Sequence, residues 1–321
     1  MDNKITKKRL NHMLSYEWIA IIIVMVAIVF VWELCYSFVS VKLTPGQRFR
    51  VFYDYNISAY QADGLIDILE GEKTFSYDLL ELKYEQILKD SEVLYNRNLL
   101  GETDAIITDT KNTNTENPEK VINRANEIID QYDMYSFYAL TVDAEVYIDS
   151  FKTNGVFDDQ KIEQNFRARM KGDNRFRTEA QILDGIKREK ERLTKLEKDL
   201  LTVQKLFDFD AKRKAEGKES IFYSYTRYSQ SLQNAKNDQV KEYYENLIEN
   251  ESEKNYGLKL WLLTGGKRNS ANYFNAIFNA QVSAEGVILM IFDIESFQPD
   301  LQYETVSFIA TIVREFSNID G

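Results

Sequence analysis

Seven side chains near the ends of apolar runs are where this sequence could do chemistry. Tyr53, Asp54 and Tyr55 close the run RFRVF, Asp109 and Thr110 close TDAIITDT, and Thr141 and Asp143 interrupt FYALTVDAEVYI. Open α/β sheets take ligands in the crevice outside the carboxyl ends of their strands, so these positions are candidate ligand-binding residues. A carboxylate or hydroxyl there would hydrogen-bond a polar solute, and a tyrosine ring would cover an apolar or sugar face. The same residue types also serve as caps, and strand aromatics as core.

Catalytic chemistry finds little support. The single histidine, His12, precedes the long apolar stretch, so the chain beyond it holds no Ser-His-Asp, Cys-His or histidine-dependent metal arrangement. A hydrolytic carboxylate pair leaves no sequence signature, and 51 acids offer no way to choose two. Gly265-Gly266-Lys267 lacks the GxxxxGK[ST] spacing of a phosphate loop and reads as a turn. Asn56-Ile57-Ser58 and Asn250-Glu251-Ser252 match glycosylation acceptors, which would be accidental if the chain is bacterial. A non-enzymatic protein without metal or cofactor is expected.

The element that positions everything else is WIAIIIVMVAIVFVWELCYSFVSV, Trp18 to Val41. At 1.5 Å per residue it spans roughly 36 Å, enough for a hydrocarbon core of about 30 Å. Lys4, Lys7, Lys8 and Arg9 precede it, which predicts a cytoplasmic amino terminus. Trp18, Trp32 and Tyr36 suit the membrane interfaces, and Glu33 falls near the outer one. A signal peptide has a shorter apolar core and a small-x-small cleavage site; Phe38 and Val39 interrupt the only candidate, so a retained anchor is expected. The bulky Trp32-Glu33-Leu34 before Cys35 argues against lipoprotein processing. The organisation that follows is a basic tail at 1–15, a transmembrane helix at 16–41 in the lipid bilayer, and an extracytoplasmic domain at 42–321.

Composition fits that domain. The 51 acids against 40 bases give a net charge of −11, and the only basic excess lies before the apolar stretch, so no nucleic-acid partner and no polybasic lipid-binding stripe is expected. One cysteine forms no internal disulfide, so stability rests on packing. Twenty Tyr and nineteen Phe against three Pro supply an aromatic core.

Strands are predicted at 48–55, 77–84, 103–110, 137–148, 257–264 and 287–292. Helices are predicted at 58–72, 91–100, 118–132, 270–279 and 301–316. Gly101 ends the second helix, Pro118 opens the third, and 151–157 forms a loop turning at Gly155. The early strand-helix alternation implies a parallel α/β layer. About 158–250 is charged and mainly helical, with Leu193, Leu196, Leu200, Val203 and Phe207 on one seam. That seam either packs on its own domain or belongs to a projecting hairpin whose second helix lies at 231–248. In the latter case the protein would be a structural or interaction protein with 178–250 as its partner-binding surface.

Three stretches resemble the type II extracellular solute-binding proteins of ABC importers: NRNLLGETDAIITD at 96–109, MYSFYALTVDAEVYIDSFKTNGVF at 134–157, and the carboxy-terminal QYETVSFIATIVREF. Val142 stands where that family commonly has proline, and the charged middle stands where it often has ligand-binding aromatics. The resemblance implies a periplasmic-binding-protein-like, two-lobed α/β domain with a charged helical insertion. It also implies a small polar solute as ligand and an ABC transporter or other membrane protein as partner.

Overall fold

The computed structural model describes residues 7–8, 18–39, 48–54, 63–72, 74–75, 79, 81–88, 92–110, 123–173, 175–269, 285–293 and 304–319. The chain forms two compact units, Met1–Leu43 and Thr44–Gly321. The first contains helix α1, Trp18–Val39. Its window Trp18–Cys35 has a mean hydropathy of 2.7 and no buried residue, so α1 is long and apolar enough to cross a membrane. Trp18 and Trp32 are exposed on it; Tyr36 lies within the helix, with its side chain outside the described residues.

The second unit opens with β1 (Arg48–Tyr53), α2 (Asp63–Gly71), β2 (Glu81–Gln86), α3 (Val93–Leu99) and β3 (Ala105–Asp109). β1 pairs in parallel with β2 on one side and β3 on the other. The early alternation is therefore a parallel layer, as the pattern predicts. α3 ends in a Schellman motif: Glu102 N–H donates to Arg97 O and Gly101 N–H to Asn98 O, with Gly101 at φ +62°.

Helix α4 (Arg124–Gln131) and the two-residue β4 (Met134–Tyr135) come next, and then the largest departure from expectation. Phe137–Ser150, read as the strongest later strand, is helix α5. Its buried residues Phe137, Leu140, Thr141, Ala144 and Ile148 follow helical spacing, and the Ser136 hydroxyl accepts from Ala139 N–H at the amino cap. The apparent alternation in its second half arises because Val142 and Val146 remain exposed on the outer face. The expected loop is a hairpin of β5 (Lys152–Thr153) and β6 (Val156–Phe157), turned by Asn154 and Gly155 at φ +52° and +79°.

Helices α6 (Asp159–Arg169) and α7 (Glu179–Ala215) follow. A capping box of Thr178 and Gln181 starts α7, whose seam of Leu193, Leu196, Leu200 and Val203 is buried. The chain continues through β7 (Phe222–Tyr225), α8 (Ser229–Gln233), α9 (Asp238–Ile248), β8 (Lys254–Lys259), a 3₁₀ turn at Leu260–Leu262, β9 (Val287–Phe292) and α10 (Glu304–Phe316). The strand expected at 257–264 thus begins earlier and ends at Lys259. The helix expected at 270–279 lies outside the described residues. α7 packs on α10, α5 and α6 instead of pairing with α9, so it belongs to its own domain and does not project as a hairpin.

The sheet order is β2-β1-β3-β9-β8-β7, with β4 also on β9. β9 runs antiparallel to β3, β4 and β8. Its uninterrupted VILMIF is explained by burial on both faces. Val287, Leu289 and Ile291 join the core with α2, α5, α7 and α10, whereas Ile288, Met290 and Phe292 join that with α3 and α4. A small satellite core of Phe151, Ile162 and Leu193 lies beside the β5–β6 hairpin.

Candidate functional site

The two crossovers around β1 set the location of the site. The chain leaves β1 through α2, whose Leu65, Ile68 and Leu69 pack on one face of the sheet, and returns to β3 through α3, whose Leu94 packs on the other. β1 therefore lies at a topological switch point, the place where open α/β sheets take ligands outside the carboxyl ends of their strands.

Asp54 occupies that point. It is fully buried, and its backbone N–H donates to Ile107 O at 3.1 Å, extending the β1–β3 ladder by one residue. Its Oδ2 accepts from Thr108 Oγ1 at 2.9 Å and from Arg124 Nε at 3.0 Å. A buried carboxylate is tolerable only when paired and hydrogen-bonded, and these two donors meet that requirement. Arg124 is the first residue of α4, and its Nη1 lies 3.4 Å from Glu127 Oε2.

Asn123 fixes the start of that helix. Its side-chain oxygen accepts from Ala125 and Asn126 N–H, while its Nδ2 donates to Tyr223 Oη at 2.9 Å. Burial raises the Tyr223 phenol to about 12, so it stays protonated and donates to Asn126 Oδ1 at 2.6 Å. Arg124 is thus held from β1 and from β7 together. Tyr132, at the far end of α4, is also pushed up by burial, against the opposing charge of Arg124.

On the opposite face of the sheet, in the core shared with α2, Tyr53 stacks on Tyr84 with ring centroids 5.7 Å apart. Asp109 is buried opposite Val287, and Thr110 donates both its N–H and its hydroxyl to Gly286 O, at 2.9 and 3.1 Å. Four sequence-predicted residues, Tyr53, Asp54, Asp109 and Thr110, therefore lie at the ends of β1 and β3. Tyr55 lies outside the described residues. Thr141 and Asp143 do not join them: both lie on α5, where Thr141 is buried and donates to Tyr138 O at 2.8 Å. The strand assignment that recruited them fails because the segment is helical.

Thr108 and Arg124 were missed. Thr108 carries an alternation signal, being polar within an apolar strand. Arg124 carries almost none, because its role depends on where α4 starts, and the helix was expected to open at Pro118. Among the described residues, no group of three or more His, Cys, Asp or Glu side chains is placed to hold a metal ion. Compared with known proteins, the chain matches no family, no curated protein and no solved structure.

Proposed function

We propose that this protein is a membrane-anchored, non-catalytic binding module that takes a small polar solute in the crevice between β1 and β3. The observation that carries the reading is the buried Asp54, which joins Thr108 of β3 and Arg124 of α4 at the switch point of the sheet. Such a cluster is costly to bury and contributes little to stability compared with apolar packing, which favours a role in recognition. Its donors and acceptors suit a polar ligand.

Helix α1 is the anchor in this reading, and the cations at Lys4, Lys7, Lys8 and Arg9 favour a cytoplasmic amino terminus with the domain outside. The likeness to ABC-importer solute-binding proteins remains part of the proposal, with accessory service to a transporter as its cellular role.

The test is thermal unfolding of the full chain in lipid nanodiscs against amino acids, short peptides, mono- and disaccharides and small anions. A ligand at a hundred times its Kd adds about 2.7 kcal/mol, which is roughly 5–10 °C for a domain of this size. At least one compound should produce that shift, and Arg124→Gln should remove it. No shift across the panel would refute the reading.

A further inference from the structure

A second recessed surface lies on the flank of α4, where it faces α8 and α9. Two adjoining cavities of about 630 and 610 Å³ share Glu127, Ser231 and Tyr244 and run along the helix. We propose that this groove binds a linear, electrically neutral glycan.

Charge is the first argument. Two carboxylates, Glu127 and Asp130, and two cations, Arg124 and Lys236, line the cavities, so the formal charges cancel. Three of the four are already engaged, Glu127 by Arg124 at 3.4 Å. Arg124 is held by Asp54, and Asp130 accepts from Tyr228 N–H at 2.5 Å, Ser231 Oγ at 2.9 Å and Tyr225 Oη at 3.2 Å. The lining therefore offers an ionic ligand no net formal charge. The walls are instead rich in amides, including Gln131, Gln233 and Asn234. Each amide offers both a donor and an acceptor, the pairing that adjacent sugar hydroxyls require.

The second argument is aromatic. Tyr228 and Tyr244 lie nearly parallel, 29° apart with centroids at 6.2 Å, and Tyr243 meets Tyr244 edge-on at 5.3 Å. α9, which carries two of these rings, buries no residue, so they are not there as core. Tyr228 adopts φ +65°, a conformation rare for a bulky side chain, and the Asp130 hydrogen bond to its N–H holds it there. Strain of this kind concentrates at ligand sites. Tyrosine faces accept the C–H faces of pyranose rings while the amides take the hydroxyls. An elongated groove open to solvent fits a chain passing through it better than an enclosed small solute.

The experiment uses the full chain in lipid nanodiscs, without glycoside detergent. Calorimetry and saturation-transfer NMR would be run with the neutral hexasaccharides of maltose, cellulose, chitin and mannan type. Hexagalacturonate, a chitosan hexamer and a tryptic casein digest are the charged and peptide arms. At least one neutral hexasaccharide should bind, and Tyr244→Ala should weaken it at least tenfold, about 1.4 kcal/mol. Gln233→Ala should weaken it as well, and both positions are outside the buried core. Tyr138→Ala, an exposed ring on α5, should leave binding unchanged. Arg124 borders both sites, whereas Gln233 lines only the groove, so Gln233→Ala separates them: it should weaken glycan binding and leave the small-solute shift unchanged. Absence of neutral binding up to about 10 mM, binding confined to the charged or peptide arms, or equal binding by Tyr244→Ala would each overturn the proposal.

Discussion

Replacing Asp199 with alanine removes one acceptor shared by three groups on two helices. Asp199 sits on α7 with its side chain 2% exposed, and it accepts from Lys195 Nζ at 2.5 Å, Ser307 Oγ at 2.7 Å and Arg314 Nη1 at 2.7 Å. Ser307 and Arg314 belong to α10, so this carboxylate ties the long charged helix to the end of the chain. Lys195 and Arg314 are each about one-third exposed (37% and 34%) and regain water when the carboxylate is lost. Their pairs therefore contribute only about 0–1 kcal/mol each after solvent screening. Ser307 is buried, and losing its acceptor costs about 1–3 kcal/mol. The sum is roughly 1–5 kcal/mol, and Asp199→Asn, which keeps one acceptor oxygen, should lose about half of it. Urea unfolding of residues 44–321, which form a separate compact unit, measures both. A loss below about 0.5 kcal/mol for Asp199→Ala would refute the packing of α7 on α10 and revive a projecting helix.

Other outcomes follow from the same structure. A Cβ at Gly266 would lie 2.4 Å from Phe316 C and Ser317 N, all backbone, so Gly266→Ala should lower the stability measured in urea by about 1–3 kcal/mol. Gly71→Ala, with nothing within 4 Å, should be neutral or slightly stabilising. Burial raises the Asp104 carboxyl to about 7, with the Arg50 N–H bond and charge opposing, whereas the unfolded group ionises near 3.8. The native state then binds the extra proton between those values. Asp104 therefore contributes stability below about pH 4 that is lost as pH rises toward 7, at up to about 1.4 kcal/mol per pH unit. Comparing urea midpoints of wild type and Asp104→Asn from pH 5 to 8 should show a falling difference that levels off above 7. Glu189 has the opposite sign: Arg192 and Arg169 overcome burial and hold it down to about 2. Its contribution is present above 4.5 and is lost as pH falls toward 2, which Glu189→Gln should suppress in acid unfolding.

Burial on two faces and long periodicity made much of the fold legible. β3 and β9 read correctly because strands covered on both sides are apolar nearly throughout, and β1 because RFRVFY alternates polar with aromatic and β-branched side chains. α7 and α10 read correctly because their seams repeat over many turns. α5 was lost because a helix with Val142 and Val146 on its open face looks like an alternating strand, and the Ser136 cap is a weak signal beside that pattern. β7 went unread because its four residues, FYSY, lie between a charged helix and a polar turn. The site divides the same way. Asp54 and Asp109 were legible as acids closing apolar runs. Arg124 and Thr108 become functional only when β1, β3 and α4 meet, and no local pattern encodes that meeting. Tyr228 was equally hidden, since its backbone conformation depends on a hydrogen bond from 98 residues away.

Hydrogen–deuterium exchange on the full chain, with and without the panel compound that raises its melting temperature most, tests the binding crevice most directly. The account predicts protection concentrated at the end of β1, at 108–110 and in the first turn of α4, and lost in Arg124→Gln. Ligand binding that leaves those three segments unprotected, or protects only a remote part of the domain, would contradict it.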